Sequence, residues 1–279
     1  MKWLKEMEWV HSAIGAEDVR VIDCRFDLSD PEKGKALYKQ DHLPGAVYFD
    51  LEKDLSGPKQ VHGGRHPLPD LHEFALKLSE AGIDASTKVV MYDDQGGAMA
   101  SRMWWMLHYL GHEQSFVMNG SYTMWKEAGF PISTEIPRFS KKQFVPKQRL
   151  HMEAKLTDVK KHRESGGIII DSRERERYLG IVEPIDPVAG HIPGAVNFFW
   201  KEVLNESGQW KKSEELTDHF HALPQNEPII VHCGSGVTAC PNVLSLMEAG
   251  YTNVRLYVGS WSDWCSYPDN PIEKGVHSS

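Results

Sequence analysis

His42-Leu-Pro-Gly-Ala-Val47 returns 149 positions later as His191-Ile-Pro-Gly-Ala-Val196. Four more echoes keep the same order around it. The apolar run 19–22 leading into Asp23-Cys-Arg25 matches 168–170 leading into Asp171-Ser-Arg173. Val89-Val-Met-Tyr92 matches Ile229-Ile-Val-His232, and Asn119-Gly-Ser-Tyr122 matches Val258-Gly-Ser-Trp261. Trp125 and Trp264 close the series. One six-residue echo can arise by chance, but five in order mean that the chain is two copies of one unit.

The bulk composition agrees. A length of 279 residues suits two domains, each long enough to bury its own core. Hydrophobic residues make up 41% and charged residues 25%, an ordinary globular balance. A net charge of -8 disfavours nucleic acid or an anionic membrane as a general partner, so any anionic substrate must be met by a few placed cations or backbone amides. No stretch approaches the roughly 18 apolar residues of a membrane helix. The start of the chain mixes Lys2, Lys5, Glu6 and Glu8 with Trp3 and Trp9, unlike a signal peptide. Cys24, Cys233, Cys240 and Cys265 are too few and scattered for a disulfide framework, which points to a reducing, cytoplasmic setting. Pro131, Pro137 and Pro146 interrupt a polar stretch at the seam. The expected division is therefore a first copy over 1–136, a linker over 137–151 and a second copy over 152–279.

Within each copy, short β-branched runs alternate with helical spacing. Positions 88–92 read as a buried strand and 98–110 as a helix, and 228–232 and 237–249 repeat that order. This is the pattern of an α/β fold, a parallel sheet covered by helices on both faces. Such sheets bind ligands outside the carboxyl ends of their strands, which selects 93–97 in the first copy and 233–238 in the second.

Those two loops differ in chemistry. The second reads His232-Cys-Gly-Ser-Gly-Val-Thr-Ala239, whereas the first reads Tyr92-Asp-Asp-Gln-Gly-Gly-Ala98. Cys233 stands where the first copy has Asp93, so only one copy keeps a nucleophile. Gly234 and Gly236 let the backbone curl so that N–H groups face the sulfur, and the following helix adds the positive end of its dipole. Both favour the thiolate over the thiol. A buried filler cysteine would explain neither the glycines nor the place at the sheet edge.

Cys233-Gly-Ser-Gly-Val-Thr-Ala239 resembles the active-site loop of the rhodanese superfamily, in particular its 3-mercaptopyruvate sulfurtransferases. The repeat, the cysteine-free first loop and the Gly-Ser-Trp261 segment extend the resemblance to nearly the whole chain. It implies two rhodanese-like domains, with the second catalytic. It also implies a persulfide on Cys233 that needs no metal and no organic cofactor, with Gly234, Gly236, Val237 and Thr238 forming the substrate loop. A Cys-based phosphatase of related fold would need Arg after five residues to clamp phosphate, and that place holds Ala239. A purely non-catalytic binding module fits the Asp93 copy but not the Cys233 loop.

Rhodaneses that use thiosulfate carry Arg and Lys just after the cysteine. Gly234 and Ser235 there resemble the mercaptopyruvate group, in which Ser235 would assist proton transfer to the leaving enolate. By the same resemblance His66 and Glu52 would assist it, although the family usually shows Asp at the latter place. His66 can equally be a loop histidine satisfied by backbone. Arg177 matches a substrate-binding arginine, with Arg173 expected in an ion pair and Arg175 on a solvated face. The group's second arginine falls near Ile185, so the donor stays open between 3-mercaptopyruvate, which is favoured, and thiosulfate. The implied partners are a small anionic sulfur donor and a thiol, cyanide or thioredoxin-like acceptor. Cys240, seven residues after Cys233, reads as a core thiol with a redox role left open.

Overall fold

The computed structural model describes residues 1–275. Its contacts separate into two compact units. Unit 1 comprises Met1–Gly57, Leu68–Arg149 and Leu204–Trp210. Unit 2 comprises Pro58–Pro67, Leu150–Val203 and the chain from Lys211 onward. Each unit thus takes in a short segment from the other half of the sequence.

Unit 1 runs β1 (Leu4–Glu6), α1 (Met7–Ala13), β2 (Val19–Asp23), α2 (Lys33–Gln40), β3 (Ala46–Tyr48), α3 (Leu71–Glu80), β4 (Lys88–Tyr92), α4 (Ala98–Tyr109), β5 (Ser115–Asn119) and α5 (Tyr122–Glu127). Unit 2 runs β6 (Glu153–Ala154), α6 (Leu156–Glu164), β7 (Ile168–Asp171), α7 (Arg175–Tyr178), β8 (Val196–Asn197), α8 (Ser213–His219), β9 (Ile229–His232), α9 (Cys240–Glu248), β10 (Val254–Tyr257) and α10 (Ser260–Trp264). The strand orders are β1-β5-β4-β2-β3 and β6-β10-β9-β7-β8, the same topology twice, and the pairings are parallel. Helices flank each sheet. That cover explains why β2 and β9 are buried at every position instead of alternating.

The repeat also holds at the level of side chains. Asp23 and Asp171 each grip the arginine two residues on, with a shortest contact of 2.6 Å in both copies. His42 Nδ1 meets the Tyr38 carbonyl at 2.6 Å and its ring stacks on Tyr38. His191 does the same with Tyr178, at 2.7 Å. Trp125 and Trp264, fully buried, donate their indole N–H to the carbonyls of Pro131 and Pro271. Each copy's core gathers around its tryptophan, with Val10, Val21, Val90 and Met118 in unit 1 and Val159, Ile169, Ile192 and Ile230 in unit 2.

One expected element starts late. The spacing predicts a helix from 237, yet α9 begins at Cys240. Pro241 lacks a backbone N–H and fits only the first turn of a helix, so the residues before Cys240 stay in the loop. Among the described residues no helix is long and apolar enough to cross a membrane.

Candidate active site

Cys233 follows directly on β9, which lies between β10 and β7 in the middle of its sheet. Parallel sheets present their strand ends as binding sites there, where successive connections leave in opposite directions. The thiol is 1% exposed. The backbone N–H of Gly236 donates to Cys233 Sγ at 3.2 Å, the contact that stabilises negative charge on sulfur. Gly236 sits at φ +76°, and a Cβ there would come within 2.3 Å of the Val258 carbonyl oxygen, so only glycine closes this turn. Gly234 has a different reason to be glycine. A Cβ there would stand 2.9 Å from Arg65 Nη2 and 3.5 Å from Arg177 Nη1. Its bare backbone lets two guanidinium groups approach the residue next to the thiol. Ser235 and Val237 are buried and Thr238 is half-buried. Cys240 donates its thiol to the Gly236 carbonyl at 3.4 Å, within the same turn.

The segment at the start of α10 holds the loop from outside. The N–H of Cys233 donates to Ser260 Oγ at 3.2 Å, while the N–H of Trp261 donates to the Cys233 carbonyl at 3.0 Å. Ser262 N–H donates to the Gly234 carbonyl at 3.0 Å. Ser260 occupies φ +56°, the left-handed region that side-chain-bearing residues avoid.

Beside the loop lies a lattice of charge. Arg173 is locked to Asp171, both essentially unexposed, and also reaches Glu183 at 3.2 Å. Arg177 bonds Glu183 at 2.7 Å and Asp186 at 3.2 Å. Burial pushes the Glu183 carboxyl up, but the Arg177 hydrogen bond, the N–H groups of Asp186 and Ile185 and the Arg177 charge outweigh it, so the group stays below its ordinary range. Asp171 follows the same logic, burial being outweighed by the charge and hydrogen bonds of Arg173. Burial lowers the pKa of His232 itself, which therefore stands neutral beside Asp171 at 3.8 Å. Arg175 is exposed.

Residues 58–67 join this unit and bring His62, Arg65 and His66. Gly63 N–H donates to Asp263 Oδ1 at 2.7 Å, and Arg65 N–H donates to Ser262 Oγ at 3.1 Å. His62 stacks on Tyr267 at 3.9 Å with Nδ1 on Ser266 Oγ. Arg65 pairs with Asp186 through its Nη1. His66, 7% exposed, follows it in the same arm. Cys233, Ser235, Arg177 and His66 therefore share unit 2. Glu52 belongs to unit 1, where its side chain is exposed and its backbone N–H donates to Asp50 Oδ1. Among the described residues no group of three His, Cys, Asp or Glu side chains is placed to hold a metal ion.

The counterpart loop of unit 1 is already filled. Asp93 Oδ1 accepts the N–H groups of Gln95 and Gly97, and Oδ2 those of Met99 and Ala100, all at 2.8–2.9 Å. Burial outweighs the four donors, so this carboxyl's pKa stands above its ordinary range. The loop backbone of this fold can thus grip a two-pronged anion, and in unit 1 the chain supplies that anion itself.

Arg65, Ser260 and Asp263 escaped the sequence reading. Ser260 is the serine of the recurrent Gly-Ser-Trp261 and Asp263 follows two residues after it, so the return of that motif after β10 was the available signal. Arg65 offered only adjacency to His66.

The sequence matches the rhodanese-like domain over residues 6–128 and again over 155–267. A Pseudomonas aeruginosa protein named "Probable 3-mercaptopyruvate sulfurtransferase" is 41% identical over 265 residues, covering 92% of this chain and 93% of that protein. Mouse thiosulfate sulfurtransferase is 32% identical over 286 residues, covering 98% and 94%. The structure of 3-mercaptopyruvate sulfurtransferase from Leishmania major superposes with a TM-score of 0.85 at 28% identity, over 97% of this chain and 76% of the other. With both halves matched and a cysteine left to do the chemistry, the chain belongs to the tandem-domain rhodanese family and is a sulfurtransferase that passes sulfane sulfur through a catalytic cysteine.

Proposed function

We propose that Cys233 is that cysteine and that 3-mercaptopyruvate is the favoured donor, with thiosulfate the second. The observation that carries the reading is the Gly236 N–H on Cys233 Sγ, at the carboxyl end of the central strand and beside Arg177. The thiolate attacks the sulfur of 3-mercaptopyruvate. The carbon–sulfur bond breaks and its electron pair leaves as the pyruvate enolate, which takes a proton to become pyruvate. Ser235 delivers that proton, with His66 of the same unit assisting. Arg177 binds the donor's carboxylate, and the backbone from Gly234 through Gly236 and Val237 to Thr238 surrounds the bound sulfur. With thiosulfate the sulfur–sulfur bond breaks instead and sulfite leaves.

In the second half-reaction an acceptor nucleophile takes the outer sulfur and restores the thiolate. A thiol, cyanide or a thioredoxin-like dithiol each has the required lone pair. Among the described residues no disulfide is formed, which suits work in the cytoplasm. Thiosulfate remains a donor to weigh because Ile185 leaves the second arginine position of the mercaptopyruvate group unfilled. The test is sulfur loading followed by intact mass. Loading from 3-mercaptopyruvate is expected to outpace loading from thiosulfate, and the reverse order would overturn the donor assignment.

A further inference from the structure

Arg177 leaves its charge largely spent. It bonds Glu183 through Nε and Nη2 and Asp186 through Nη2, and Arg173 is fully committed to Asp171, Glu183 and the Gly190 carbonyl. The carboxylates Asp171, Glu183 and Asp186 outnumber Arg173 and Arg177, so these five groups alone would repel an anion. One more cation restores the balance, and it comes from a distant part of the sequence.

Resting on the sulfurtransferase reading, we propose that Arg65 is the second donor-binding arginine of the Cys233 site, in place of the one absent at Ile185. Arg65 Nη2 is the heavy atom nearest to where a Gly234 Cβ would stand, at 2.9 Å, and Arg177 Nη1 follows at 3.5 Å. Among the described residues neither nitrogen makes a hydrogen bond, so each has N–H groups to offer a carboxylate or sulfonate oxygen. Asp186 joins the two side chains, one oxygen on Arg65 and the other on Arg177, and so sets their spacing.

The arm that carries Arg65 is anchored closely. Gly64 has φ +86°, and a Cβ on it would lie 2.4 Å from the Gly259 carbonyl oxygen. Asp263 takes the Gly63 N–H and also the Tyr257 hydroxyl at 2.5 Å. Ser262 bonds the arm through its side chain and the Cys233 loop through its backbone. The guanidinium is therefore held against the loop by the same turn that holds the loop. Ile185, at 54% exposed, carries no charge.

The test compares wild type with Arg65→Gln and Arg65→Lys in donor kinetics and in the alkylation of Cys233 by iodoacetate, an anion, and iodoacetamide, which is neutral. Site-resolved mass spectrometry reads the alkylation. In Arg65→Gln the donor KM is expected to rise on the order of tenfold with kcat changed less than threefold, as for lost charge-assisted bonds made to bound donor. The iodoacetate-to-iodoacetamide rate ratio should fall by a similar factor, and Arg65→Lys should recover part of it. An unchanged KM and ratio would overturn the proposal. So would an equal fall of both alkylation rates, the mark of a merely structural role. Should Arg65→Gln not fold, Asp186→Asn decides: the ratio should rise once the competing carboxylate is gone, and an unchanged or lower ratio contradicts the proposal. If wild type loads sulfur from neither donor, the sulfur-transfer reading fails, while the alkylation ratio still reports on Arg65.

Discussion

Ser260 shows what a single residue contributes to the site. Its hydroxyl accepts the Cys233 N–H and donates to the Tyr257 carbonyl at 2.9 Å, so it links the nucleophile's backbone to the end of β10. To do so it holds φ +56°, a conformation that costs a residue with a side chain on the order of 1 kcal/mol or more. Ser260→Ala keeps the strain and leaves a buried N–H without its acceptor, a loss of about 2 kcal/mol. Ser260→Gly loses the same bond but relieves the strain. Urea unfolding should therefore find Ala clearly less stable than Gly, and equal losses would remove strain from the explanation. Cys233 was legible in the sequence because a strand, a cysteine and two glycines lie within a few residues of one another. Ser260 and Arg65 were not, because each acts on a loop far away in the chain and no local pattern encodes that pairing.

At the scale of elements, the two strand–loop–helix units after β4 and β9 share a backbone plan but differ in how far the helix starts from the strand. α4 starts at Ala98, five residues after Asp93, whereas α9 starts at Cys240, seven after Cys233. The tighter loop folds onto its own carboxylate, and the longer one leaves its turn to a thiol. Asp93→Asn would point an amide NH2 at backbone donors that need an acceptor, while dropping the charge that strengthens the remaining bonds. Unit 1 should lose about 2–3 kcal/mol, visible as a lower melting temperature, and a loss within 0.5 kcal/mol would contradict this role for Asp93. The strands and the helix 98–110 were legible because apolar period and length agree. The late start of α9 was masked by Val237 and Ala239, whose apolar character continued the helical pattern that Pro241 forbids before Cys240.

Across the whole molecule, buried neutral histidines contribute to the response to acid. His108, 1% exposed, is wedged between Trp3 and Trp104 at centroid distances of 4.5 and 4.4 Å. Burial, helped by the charges of Arg149 and Lys2, pulls its pKa down to about 3. Burial also lowers His112, His219 and His232. The unfolded chain takes up a proton at such a histidine near pH 6.5, but folded His108 does not until about pH 3. Its contribution is therefore complete above about pH 6.5 and is lost as pH falls toward about 3, by about 1.4 kcal/mol per pH unit. His108→Phe should flatten the fall in unfolding free energy between pH 6 and 4 (as about 1.4 kcal/mol per unit less slope). An unchanged slope would contradict the neutral assignment. The tandem architecture itself was legible from five ordered echoes, but the exchange of 58–67 and Leu204–Trp210 between the repeats was not, since sequence order hides which core a short polar segment joins. The role of Cys233 is the claim on which the rest depends. Intact mass after brief exposure to 3-mercaptopyruvate, and separately to thiosulfate, tests it most directly in wild type and Cys233→Ser. A gain of one sulfur atom in wild type, absent from the variant and reversed by cyanide, is the expected result. Loading that persists in Cys233→Ser, or a wild type that loads from neither donor, would contradict it.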